Sequence, residues 1–173
     1  MVSFWSAISG VELAQGDFLP DCLMPAVPDG FGPASKSADI EIHSADLIVV
    51  TQTCDLANAK GGSVALCPIY SLAAFEAVNP SFAKRGIWEE VRKGRREGLH
   101  LLASPTNPAS SRDALVVNFR EIFSLPIGYL RSHASGTATR WRLQSPFLEH
   151  FSQAFARFFM RVGLPSAVPP FND

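Results

Sequence analysis

No lysine or arginine precedes Lys36, so the amino terminus lacks the positive region expected of a secretory signal. Cysteine is scarce, three in all, and no two lie at a tight spacing. An odd and scattered set of that kind excludes a disulfide framework. CxxC, HxxxH and HExxH spacings are also missing among Cys22, Cys54, Cys67 and the histidines, so no metal site is expected. Nor is there a glycine-rich phosphate loop, since GRREG (residues 94–98) has neither the length nor the Lys-Ser/Thr ending. No cofactor is expected on these grounds. The longest uncharged candidate for a membrane span, Gly61 to Phe75, contains Pro68 and falls short of the roughly 18 residues required. The expectation is a soluble, cytoplasmic protein with no membrane partner and no internal repeat.

What is present fits one globular domain over residues 1–173. Apolar residues make up 47% and charged ones 18%, which sets the chain among folded rather than disordered sequences. The net charge of −1 conceals an asymmetry. Residues 1–80 hold two bases against nine acids, and residues 81–173 hold thirteen bases against seven acids. Either the halves pack together and neutralise each other, or the second half presents a basic face to an anionic partner such as nucleic acid.

Along the chain, Phe4, Trp5, Ile8, Val11 and Leu13 give residues 1–14 a loosely helical apolar pattern, for packing on the domain or on a partner. Residues 17–19 read as a short strand stopped by Pro20, and residues 25–38 as an irregular loop. DLIVVTQ is continuously apolar before its polar tip, as in a strand buried on both faces. SVALCPI is its antiparallel partner across a long loop. Ser71 caps a helix that stops before Asn79-Pro80, and Ser81 caps a second one with Phe82, Ile87, Trp88 and Val91 as its buried stripe and Gly98 as its terminator. Strands follow at LHLLA and DALVVNF, with EIFSLP running on from the latter. TRWRL alternates, with Thr139, Trp141 and Leu143 facing one way and Arg140 and Arg142 the other. A final helix spans 145–163, capped by Ser145 and stopped by Gly163, with Phe147, Phe151, Phe155, Phe158, Phe159 and Val162 on one stripe. Residues 164–173 are left as a frayed tail. The sum is an α+β fold: a small, mostly antiparallel, barrel-like sheet with about three helices.

GDFLPD followed by ADLIVVTQTCDLANAKGGSVALCPI resembles the MazF/PemK-like barrel proteins. Gly16-Asp17, Val49-Val50-Thr51 and Ala65-Leu66-Cys67-Pro68-Ile69 stand in that family's places. The likeness implies an SH3-like barrel and, in toxin members, metal-independent cleavage of single-stranded RNA, with the hydroxyl position falling on Thr51 or Thr53. Those toxins open the apolar strand with Arg-Pro, whereas this chain has Ala45-Asp46 there. A carboxylate repels a scissile phosphate that the arginine would neutralise. TQTCDL and FARFFMRVGLP together are similar to a second, uncharacterised bacterial family, which implies a gene-conflict or mobile-element setting.

The residues themselves admit several chemistries. Cys54 is either a thiol nucleophile activated in space by His43 or His100, or a small apolar filler beside an Asp55 that caps a turn. His100, between Leu99 and Leu101, is either a solvent-facing histidine or a catalytic one. KRGIWEEVRKGRREGLH carries six bases against three acids, which makes either a phosphate-facing helix or a solvated face with internal Arg–Glu pairs. The leading expectation is a bacterial binding or regulatory module. In it a mouth at Thr51, Gln52, Thr53, Cys54 and Asp55 lies near Arg92, Arg95, Arg96 and His100 and takes an anionic ligand, with nucleic acid in mind. The alternatives are an altered ribonuclease or Cys54-dependent enzyme, and a non-enzymatic subunit that docks a protein partner through Phe4 and Trp5.

Overall fold

The computed structural model describes residues 3–34, 39–58 and 62–160. The strands are β1 (Trp5–Ile8), β2 (Asp17–Ala26), β3 (Glu41–Val49), β4 (Ser63–Ser71), β5 (Leu99–Leu102), β6 (Leu115–Asn118), β7 (Phe123–Pro126) and β8 (Arg140–Leu143). Among the described residues there are five α-helices: α1 (Thr53–Ala57), α2 (Leu72–Val78), α3 (Ile87–Arg92), α4 (Ile127–Gly136) and α5 (Phe147–Phe159). A 3-10 turn at Pro80–Ala83 separates α2 from α3.

All ladders are antiparallel, in the order β1-β8-β2-β3-β4-β6-β5. β4 forms the spine. Ile69–Ser71 pair with β6, Ser63–Leu66 pair with β7, and Leu66–Pro68 pair with β3 across the strand. EIFSLP therefore does run on from DALVVNF along one neighbour. The centre of the sheet is covered on both faces, which is why β3 ends in an unbroken apolar run. Leu47 and Val49 join a cluster with Leu56, Leu125 and Leu130 under α1 and α4, while Ile48 and Val50 join Trp5, Phe119 and Phe151 under α5. A third cluster gathers Phe75 of α2, Val91 of α3, Leu99 and Val116.

The expected barrel is not closed. β1 and β5 stand at opposite ends of the order and share no ladder. The sheet is curled nonetheless, because the Trp5 indole Nε1 donates 2.7 Å to the carbonyl of Ala103, one residue past β5. Fully buried Phe151 of α5 packs in the same cluster as Trp5, Leu102 and Leu143. A helix thus fills the gap that a strand pair would close.

Several local expectations change for identifiable reasons. The amino-terminal apolar pattern forms strand β1, not a helix, because β8 offers it a ladder from Trp5–Leu143 to Ile8–Arg140. Trp5 is buried, and Phe4 stacks on Phe147 with centroids 3.9 Å apart. The pair expected to dock a partner is therefore engaged inside the chain. Pro20 does not stop β2. It sits at a register shift between Leu19 and Cys22, where Asp21 takes φ 53° and no ladder donor is required. The helix expected after Ser81 begins only at Ile87, behind left-handed Gly86. Ser71 does cap α2, accepting from the Ala74 amide at 3.1 Å. α1 and α4 were not expected. α5 begins after Pro146 without a side-chain cap, and the expected Gly163 stop and the 164–173 tail lie outside the described residues.

Candidate functional site

Residues 51–55 are where β3 ends, and their polar groups tie that end down. Thr51 Oγ1 accepts 2.8 Å from the Ala65 amide, so a hydroxyl continues the contact with β4 two residues past the end of β3. Thr53 Oγ1 accepts from the Gln15 amide at 3.1 Å, and the Gln15 side chain donates to the Val50 carbonyl at 3.0 Å. The tight turn that brings Gln15 here favours Gly16, because φ 81° lies in the left-handed region and a Cβ would also crowd Leu143 at 3.0 Å. Gln52 is the cap position of α1, and Asp55 stands in its first turn. Cys54 is exposed rather than an apolar filler, and among the described residues its thiol meets Gln52 Oε1 at 3.7 Å and Asp55 Oδ1 at 3.9 Å. Neither partner is a base or cation of the sort that activates a thiol. Cys22 and Cys67 are buried, and burial pushes both thiols up to about 12.

The arginine-bearing segment builds something different. Between α3 and β5 the chain turns through Gly94 (φ 68°) and Gly98 (φ 84°). Gly98 takes a left-handed φ that side chains rarely adopt, and an added Cβ would press at 3.0 Å on both the Arg120 guanidinium and the Phe158 ring. This turn and α5 enclose a hollow of about 310 Å³. Leu99, Phe119 and Phe158 supply apolar wall, while Arg92, Lys93, Arg96 and Arg157 line it, with Glu97 as the one acid among the described residues. His100 lies against it, stacked on Phe119 at 6.0 Å and edge-on to Phe151 at 5.9 Å. Burial, with His150 adding repulsion, pushes the His100 imidazole down to about 4. At neutral pH the ring is uncharged, offering one donor and one acceptor. It is too weak a base for general-base catalysis near neutrality.

The cations differ in readiness. Glu89 takes a two-pronged hydrogen bond from Arg92, both contacts 2.7 Å, and Lys93 stands at 3.2 Å. Arg92 and Lys93 together hold the Glu89 carboxyl down to about 2. Arg96 lies over the Phe82 ring at 5.5 Å. Among the described residues, neither Arg96 nor Arg157 shares an ion pair with a carboxylate. A second hollow of about 410 Å³ adjoins the first through Arg96 and Leu99, with Arg95, Arg120 and Phe82 on its walls. Arg95 there is paired with Glu90 at 3.1 Å.

The structure thus brings Arg92, Arg96 and His100 to one hollow and Arg95 and Arg96 to its neighbour. Thr51, Gln52, Thr53, Cys54 and Asp55 line neither. The expected shared cleft is divided into two places. Sequence reading assigned none of Lys93, His150, Gln153 and Arg157 to a site, although the spacing of Glu149, Gln153 and Arg157 marks a polar face of α5 opposite the phenylalanine stripe. It also missed a buried cluster in which Asp17 holds Arg140 and Arg142. Arg140, on the β8 side expected to face outward, is fully buried, while Arg142 on the same side is partly exposed. Among the described residues no three metal-ligating side chains converge, and no helix is long and apolar enough to cross a membrane. No family model, curated protein or solved structure matches the chain, so the meaning of the hollow rests on its own geometry.

Proposed function

We propose that the protein is a binding module of MazF/PemK-like build that takes a phosphate-bearing ligand, a nucleic-acid strand, in the hollow between the α3–β5 turn and α5. Its setting on this reading is bacterial regulation of the toxin–antitoxin or phage-defence kind, as the sequence likeness implies. The observation that carries the binding reading is the charge balance of the hollow, with four cations against one lining acid and with Arg96 and Arg157 outside any ion pair among the described residues. The apolar wall suits the face of a base or sugar, and the neutral His100 ring can both donate and accept. Backbone-directed recognition of this type is electrostatic and falls steeply with salt.

Fluorescence anisotropy with labelled single-stranded RNA and DNA tests it. Binding at low salt should weaken as salt rises, with a log–log slope of about −0.7 per phosphate contacted. The Arg92→Ala/Arg95→Ala/Arg96→Ala variant should lose that binding. Absence of binding to either strand at low salt overturns the proposal.

A further inference from the structure

Beyond its first residues the β2–β3 hairpin leaves the sheet. β8 pairs with β2 only at Asp17 and Phe18, and β4 pairs with β3 only at Leu47–Val49. From Cys22 and Ala45 outward the two strands form a ribbon that pairs with no further strand among the described residues, and the Leu23 amide donates to the Tyr129 hydroxyl of α4 at 2.7 Å. One face of the ribbon packs inward, with Cys22, Met24 and Ala45 on the α4-covered core. The other face carries Leu23 and Pro25 with Ile42 opposite Pro25, and Val27 and Ile40 continue the same parity. Leu23, Val27, Ile40 and Ile42, with Phe31 in the connecting loop, are each 53–68% exposed. Exposed apolar residues scattered singly need no explanation, but a set aligned on one strand face does.

Charge indicates what covers it. Asp21, Asp29, Asp39, Glu41 and Asp46 lie along the ribbon and its loop, all exposed, against one lysine or arginine in the span, Lys36, with Glu41 set by its pairing to Ala26 on the face of Met24. Among the described residues none of these acids pairs with a lysine or arginine, and the ion pairs that join the two halves of the chain are confined to Asp17. The charge asymmetry of the sequence is therefore left at the surface. Its complement lies on α5, where exposed Phe159 and Met160 (77% exposed) follow Arg157 and Phe158, two residues that line the hollow together with the basic turn after α3.

We propose that the ribbon of one copy docks on the α5 end of a second copy, head to tail, with its apolar face on Phe159 and Met160 and its acids facing the arginine-rich rim. A symmetric ribbon-to-ribbon dimer would set acid against acid, whereas the head-to-tail contact is complementary in both charge and apolar character. Such a contact does not close on itself by a twofold axis, so it yields a ring or an open chain. It does not depend on the ligand reading of the hollow.

Analytical ultracentrifugation of the full chain across a wide concentration range, at low and high salt, tests this. The wild type should associate beyond dimer at low salt and revert toward monomer at high salt. Ile42→Lys and Met160→Glu, both at exposed positions outside the hollow, should each be monomeric with unchanged circular dichroism. An equimolar mixture of the two retains one intact ribbon and one intact α5 end, and should give a 1:1 dimer and nothing larger. Leu23→Lys should replace Ile42→Lys in every arm. A wild type that stays monomeric throughout, or a mixture that stays monomeric, overturns the proposal, as does a dimer that survives in both single variants. Nucleic-acid binding by Met160→Glu, measured alongside, separates failure here from failure of the ligand reading.

Discussion

A carboxylate without water around it is tolerable only when cations and donors replace the water. Asp17, fully buried, accepts from Arg140 Nη1 at 3.0 Å, from Arg142 Nη2 at 2.9 Å, from Arg142 Nε, and from the Ala14 amide at 3.0 Å. Arg140 is fully buried as well, and its Nη2 reaches the carbonyls of Gly10 at 2.8 Å and Glu12 at 3.2 Å. Two guanidiniums share one carboxylate, and loop carbonyls absorb the surplus positive charge. Asp17→Ala would leave the Arg140 charge stranded, so a loss of about 3–5 kcal/mol is expected in urea unfolding. Arg142→Ala removes a partly exposed partner and should cost less. A change within about 1 kcal/mol for Asp17→Ala would mean the cluster adds nothing beyond an average surface contact.

At the scale of elements, α3 both supplies and restrains the cations of the hollow. Glu89 and Glu90 in its first turn suit the helix dipole, but Glu89 also occupies Arg92 and Lys93. Glu89→Gln should therefore raise affinity for a phosphate-bearing strand by about threefold, the scale of an exposed ion pair. Anisotropy titration reads the effect directly, and weaker binding would show that Glu89 positions the cations rather than competing for them. Elements of this kind were partly legible in the sequence. The two-face burial of β3, the Ser71 cap and the β6–β7 succession follow from local apolar runs and turn chemistry. β1 and the inward Arg140 were not legible, because each depends on a partner more than a hundred residues away in the chain. α4 carries only a weak apolar stripe. The site was half legible: a run of bases marks the α3–β5 turn, but no local signal says that it meets α5 rather than Thr51.

For the whole molecule, acid should be felt through His100. Its ring titrates near 6.5 when unfolded and is pushed down to about 4 in the fold by burial, with His150 adding to the effect. Between those values the unfolded chain holds the extra proton, so stability is full above about 6.5 and is lost as pH falls toward 4. The loss attributable to this group is on the order of 3 kcal/mol. Urea midpoints of wild type and His100→Phe, compared at neutral pH and at the acid end of that window, check it. The variant should show a flatter pH dependence, and an identical slope would assign the acid sensitivity elsewhere.

β8 lies between β1 and β2, pairing Leu143 with Trp5 on one side and Arg142 with Asp17 on the other. Residues 5–8 therefore have no ladder to join until residues 140–143 have left the ribosome, so this edge of the sheet forms only after nearly all of the described chain has emerged.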